Sequence, residues 1–278
     1  MFKFSFNSTT LRNLDVMEAL KQIKDFGYEG VELSLNDSHL HPLTATQSRI
    51  NAIKTHCQNL ALPIVCLAAG GDRLLGSEPY EPSLISLDRS GREKRLELIR
   101  RAMDIANQLE APVLNINSGK RKAEVEPEQA FLFLTSALEK LLPDAGSLTL
   151  VIEPEPDFFI GTSTQGIELV HTINEPRVRL NLDIGHVFCS ETNCYEAIEK
   201  ALPFSRHIHI EDIRNGIHHH EIPGEGDIDF PQVINLLINS GYKHYVSVEL
   251  HHHADMWKRA LGESLLFLGK LMPQSDNP

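Results

Sequence analysis

Four short β-rich runs of the sequence close on side chains that bind cations or carry protons. Leu148-Thr-Leu-Val-Ile-Glu153 and Tyr245-Val-Ser-Val-Glu249 end on glutamates, Arg179-Leu-Asn-Leu-Asp183 on an aspartate, and His207-Ile-His209 on an imidazole. Three bare carboxylates brought together repel one another, and a divalent cation removes that cost. Glu, Asp and Glu with one imidazole form a ligand set for one ion of Mn, Co, Mg or Zn. Taken singly, each residue is an ordinary charge at a strand edge. Four successive runs ending this way are what the metal reading explains.

The elements that must position these residues follow from the periodicity. Short β-rich runs alternate with longer segments of helical spacing. The strand-like runs are Lys3–Phe6, Gly30–Leu35, Pro63–Ala68, Val113–Asn117, Leu148–Glu153, Arg179–Asp183, His207–Ile210 and Tyr245–Leu250. The helix-like runs are Leu14–Phe26, Thr46–Asn59, Arg92–Leu109, Pro127–Leu141, Gln165–Thr172, Tyr195–Ala201, Phe230–Asn239 and Met256–Leu271. Pro127 suits a first helical turn, Gly241 a stop after Asn239, and Asp229 a cap before Phe230. Alternation of β and α implies a parallel sheet covered by helices. Eight pairs in one chain without a linker predict an α/β fold, a closed (β/α)8 TIM barrel forming a single domain over residues 1–278. An open doubly wound sheet is the weaker alternative, because no G-x-G-x-x-G follows the first run. Barrel enzymes work at the C-terminal ends of their strands, where the four residues stand.

Composition narrows the partners. A net charge of −12 argues against a nucleic-acid footprint, which needs clustered Lys and Arg. No apolar run approaches the roughly 20 residues of a membrane span, and the N-terminus lacks a secretory signal, so a cytoplasmic protein is expected. Cys57, Cys66, Cys189 and Cys194 have no paired spacing and read as reduced thiols. Lys120-Arg121-Lys122 could meet a phosphate on a small substrate, although a solvated loop is the plainer reading.

Beyond these residues the sequence resembles the xylose isomerase-like barrel superfamily. The motifs are Ile152-Glu153-Pro-Glu-Pro, Leu182-Asp183-Ile-Gly-His186, His207-Ile-His209-Ile-Glu-Asp212, Pro223-Gly-Glu-Gly-Asp-Ile-Asp-Phe230 and Val248-Glu249. That superfamily holds sugar and sugar-phosphate isomerases, ketose 3-epimerases, hydroxypyruvate isomerase, inosose dehydratases and endonuclease IV. The resemblance implies that Glu153, Asp183, His209 and Glu249 bind one divalent metal, and that Glu153 and Glu249 are the acid/base pair. The reaction it implies is proton transfer through a metal-stabilised enediolate on a small sugar or polyol. His186 matches a histidine on a substrate oxygen, and Arg214, offset by one residue, resembles an arginine with a similar contact. A homodimer would fit the group, whose barrels often pair.

Departures from the pattern also matter. Where the epimerases carry a further Glu, this chain has Phe159, and Glu155 is the nearest carboxylate left to meet the substrate. An inosose-type dehydratase on the same metal site is the second reading, and an endonuclease IV-like phosphodiesterase the third. The latter lacks its extra histidines, since Ala68-Ala69-Gly70-Gly71 and Asn115-Ile116-Asn117-Ser118 stand in their places. Endonuclease IV has Asp-x-His before its G-E-G; here His218-His219-His220 stand there, as ligands of a second metal, as substrate contacts or as a solvated loop. Of His251, His252 and His253, at most one can join Glu249. Asp212 is a candidate to brace His207 or His209, and Trp257 reads as packing.

Overall fold

The computed structural model describes residues 1–70 and 73–273; Gly71, named above, lies outside them. Eight parallel strands close a barrel. They are β1 (Lys3–Asn7), β2 (Gly30–Ser34), β3 (Ile64–Ala68), β4 (Val113–Asn117), β5 (Thr149–Glu153), β6 (Val178–Asp183), β7 (Ser205–Ile210) and β10 (Tyr245–Val248). Each pairs with its sequence neighbour in the barrel, and β10 closes the ring on β1 with Lys3 opposite Tyr245 and Phe6 opposite Val248. On the outward face of the sheet, beneath the helices, Val31, Leu33, Leu150, Ile152, Ile208 and Val246 are all buried.

The helices lie where the apolar stripes require them. In α1 (Val16–Asp25), Val16, Ala19, Leu20 and Ile23 make the buried face, and the Asp15 side chain caps Met17 N at 2.8 Å. Next come α2 (Gln47–Asn59), α3 (Arg89–Leu109), α4 (Pro127–Leu141, with the proline in its first turn) and α5 (Ser163–Ile173). A reciprocal capping box of Thr162 and Gln165 opens α5. The outer ring is completed by α7 (Cys194–Ala201), α8 (Phe230–Asn239, capped by Asp229) and α9 (Trp257–Leu271). The helical stripes and the outward strand residues make one apolar core between sheet and helices. Trp257 packs edge-on to Phe26, as expected. Among the described residues no helix is long and apolar enough to cross a membrane.

Two elements were not visible as periodic patterns. The short α6 (Ile184–Ser190) follows β6 without a loop, because the Asp183 side chain itself caps it, accepting from His186 N at 2.7 Å. The histidine-rich stretch is not an irregular loop but an antiparallel hairpin of β8 (Asp212–Arg214) and β9 (Ile217–Glu221). Its turn is Asn215-Gly216, both at positive φ (55° and 65°), the pair a two-residue hairpin turn favours. That Asn-Gly dipeptide was the available sequence signal.

Candidate metal centre and active site

The strand ends bring Glu153, Asp183, His209 and Glu249 together, with one potential ligand atom from each within 4.8 Å of the others. His209 stands in the middle. Its Nδ1 lies 3.0 Å from Glu153 Oε1, 3.5 Å from Glu249 Oε2 and 3.6 Å from Asp183 Oδ2. Asn115 Nδ2 donates to the other oxygen of Glu153 at 2.6 Å, and Asn7 Nδ2 donates to Oε1 of Glu249 at 2.8 Å. Each glutamate is thus held by one oxygen while the second faces the centre. Asp183 Oδ2, buried, has no hydrogen-bond partner. A buried carboxylate oxygen without a partner is costly, and a cation among these donors satisfies it. The donor set fits a divalent ion by number and by chemistry.

Electrostatics agree with that fit. Burial disfavours charge on His209, but Glu32, Glu249 and Glu153 outweigh it and hold the imidazolium well above its ordinary pKa. The two glutamates respond differently. Burial raises both; at Glu153 the charge and hydrogen bond of His209 reverse the effect and lower the pKa, whereas Glu249 stays raised.

Beneath this layer lies a carboxylate that strand-end reasoning missed. Glu32, in the middle of β2, is fully buried, and its Oε2 accepts from His209 Nε2 at 2.7 Å and from His207 Nε2 at 2.9 Å. His207 is deeper than His209, as the two-residue spacing implies. The signal for Glu32 was a lone charge inside the apolar run Gly30-Val31-Glu32-Leu33. Asp212 does not brace either histidine. Its carboxylate instead accepts from the backbone N–H groups of Ile213 (2.9 Å), Gly224 (2.9 Å), Gly226 (2.7 Å) and Ile228 (3.1 Å). It is the anchor of the Gly-Glu-Gly turn, and Gly226 is required there because a Cβ would lie 2.3 Å from Asp212 Oδ1.

The centre opens into a cavity of about 510 Å³, whose wall includes His186, Glu155, Asn117, Ser34, Arg12 and Tyr80. His186 Nδ1 donates to Pro154 O at 3.1 Å, while its Nε2 is buried without a hydrogen-bond partner. Burial, together with the charges of Glu153 and Glu249 and against that of His186, pushes Glu155 up to about 8. Arg214 is not on this wall. It is exposed on the hairpin, with Nε on Glu225 O at 3.0 Å.

The basic stretch is largely engaged: Lys122 pairs with Glu78 at 2.9 Å and Arg121 reaches Val125 O. Lys120 is exposed, above the rings of Phe158 and Tyr80.

The hairpin histidines divide by exposure. His220 is fully buried, its Nδ1 3.0 Å from Glu249 O and its Nε2 3.2 Å from His218 Nε2, while His219 stacks outside on His252. His186, His218 and His220 also bring ligand atoms within 4.8 Å of one another, as do His220, Glu249 and His251. His251 is therefore the member of its triplet that nears Glu249. Glu211, also fully buried, has neither oxygen hydrogen-bonded and fills the space where a Cβ on Gly185 would be. Cys189 and Cys194 are free, half-buried thiols outside every one of these clusters.

Comparison with known proteins gives a consistent background. The model of a family described as a xylose isomerase-like TIM barrel matches residues 20–271. Fructoselysine 3-epimerase of Escherichia coli O157:H7 is 24% identical over 244 residues, 86% of each chain. Among solved structures, apo 3-keto-D-glucoside 4-epimerase from E. coli superposes with a TM-score of 0.81 at 17% identity, covering 97% of this chain and all 100% of that one. The IOLI protein, solved with a zinc atom bound, gives 0.79 at 20% identity over 98% of this chain and 100% of its own.

Proposed function

The chain belongs to the xylose isomerase-like TIM barrel family, and from that premise we propose that it is a sugar epimerase or isomerase using one divalent metal ion. The observation that carries the proposal is the convergence of Glu153, Asp183, His209 and Glu249 at adjacent strand ends. These four residues hold the ion, of the Mn, Mg, Co or Zn class. When bound, it supplies the positive charge that stabilises oxygen as a neighbouring C–H proton leaves.

The proton itself is moved by the chain. Glu153 and Glu249 project from β5 and from the end of β10, on either side of His209, so that one can take a proton from one face of a carbon and the other can return it to the opposite face. Asn115 and Asn7 fix the two carboxylates by their outer oxygens. His186, with Nε2 unpartnered at the cavity wall, holds a substrate oxygen, and Glu155 donates from its protonated form to another. That the matched fructoselysine 3-epimerase and 3-keto-D-glucoside 4-epimerase are epimerases supports this reading.

Solvent deuterium exchange tests it. The protein with Mn2+ is incubated in D2O with ketoses, ketose phosphates and inososes, and products are read by mass spectrometry. Exchange by the parent and none by Glu249→Gln is expected. Absence of exchange with every ketone counts against the proposal, and appearance of an ultraviolet-absorbing enone or dione from an inosose would replace it with elimination chemistry.

A further inference from the structure

We propose that Glu32 is a positioning residue of the metal centre: from beneath it, the carboxylate locks the His209 ring with Nδ1 toward the ion and adds the negative charge that retains it. The inference rests on the metal reading of the preceding subsection and concerns a residue outside the set of ligands.

The geometry is specific. Glu32 sits on β2, while His207 and His209 sit on β7, so the carboxylate reaches its partners across the barrel rather than along the sheet. The interior of such a barrel is normally filled by branched apolar side chains. Here it contains a carboxylate and two imidazoles with 0–1% exposure. One oxygen, Oε2, meets both Nε2 atoms at 2.7 and 2.9 Å. A carboxylate oxygen only accepts, so each ring must carry a proton on Nε2. For His209 that leaves Nδ1 as the atom that faces Glu153, Asp183 and Glu249. Asn181 Nδ2, 3.2 Å from Nδ1, supports the same orientation from the other edge of the ring, and Glu32 is the group that accepts the Nε2 proton beneath it.

The role of His207 follows. It makes no contact with the three carboxylates of the centre; its Nε2 gives Glu32 a second donor, and without donors a carboxylate at this depth would be prohibitively costly. Glu32 Oε1 has no hydrogen-bond partner, so the hold on the two rings is exerted through the oxygen they share. Loss of such an outer partner of a metal-binding histidine typically weakens metal affinity about 10–100-fold.

The test is a calorimetric titration of metal-stripped, full-length protein with Mn2+, followed by the visible spectrum of the Co2+ form. Glu32→Gln keeps an oxygen that can accept from both rings but removes the charge. Its expected Kd for Mn2+ is about 10–100-fold weaker than the parent's, with a changed Co2+ band and an unfolding temperature of the stripped protein within a few degrees of the parent. A parent that binds one Mn2+ per chain and a variant whose Kd agrees within twofold would overturn the inference and leave the metal reading standing. A parent that binds no Mn2+, Co2+ or Zn2+ would overturn both. Should Glu32→Gln fail to fold, Glu32→Asp, which withdraws the carboxylate by one methylene, is subject to the same comparison and the same twofold criterion.

Discussion

At the scale of single residues, the centre is held by a few short contacts, and its predictions are correspondingly sharp. Replacing Glu249 by Gln removes a proton carrier while keeping the Asn7 contact, and turnover should fall by about 10²–10⁴-fold, the usual worth of a positioned general acid or base. Single-turnover deuterium exchange measures it; a loss below tenfold would remove Glu249 from the chemistry. Glu155 gives a pH prediction. Its pKa is pushed up to about 8 in the folded chain by burial and neighbouring carboxylates, above that of an ordinary glutamate. The folded state therefore binds the extra proton, and the contribution to stability is complete below about pH 4.3, the ordinary glutamate value, and is lost as pH rises towards 8. The unfolding temperature of the metal-free parent should fall more steeply than that of Glu155→Gln between pH 5 and 8; parallel curves would show that Glu155 is ionised throughout.

At the scale of elements, the hairpin Asp212–Glu221 and the following turn are organised by one carboxylate. Asp212 collects the N–H groups of Ile213, Gly224, Gly226 and Ile228, none of which a sheet or helix would otherwise satisfy. Asp212→Ala should cost about 3 kcal/mol, since charge-assisted hydrogen bonds contribute about 1.5–3 kcal/mol each and their loss is not additive. The shift in urea midpoint at constant m-value reads it. A change under 1 kcal/mol would mean that water replaces the carboxylate. The eight strands and eight longer helices were legible as periodic runs to within a few residues, because burial of both sheet faces and one helix face imposes those periods. The seven-residue α6 and the three-residue β8 are too short to show a period, and their causes, the Asp183 cap and the Asn215-Gly216 turn, are one residue and a dipeptide.

At the scale of the whole molecule, barrel closure is what turns strand-end residues far apart in the chain into one site. Because the ligand carboxylates repel one another until a cation joins them, metal should stabilise the fold as well as the site. At a free concentration of 100 times Kd the gain is about 2.7 kcal/mol, which for a chain of this size raises the unfolding temperature by about 5 °C. Calorimetry of the metal-stripped protein with and without Mn2+ checks this. Unchanged transitions would argue that no ion binds the folded chain preferentially.

Sequence alone determined the alternation of strands and helices, the barrel that follows from eight such pairs, and the polar residue closing each of four strands. These are local properties, written in period, turn and strand-end chemistry. Tertiary structure alone decided which residues stand beneath and around those ends. Glu32 is about 175 positions from His207, yet Oε2 lies 2.9 Å from its ring; Asn7 meets Glu249 across the closing seam, 242 positions away. Arg214 and Asp212, close in sequence to His209, turn instead to the hairpin and its glycine turn. Contacts across a closed barrel depend on how distant strands are staggered once the sheet closes, and that pairing joins residues far apart in the sequence.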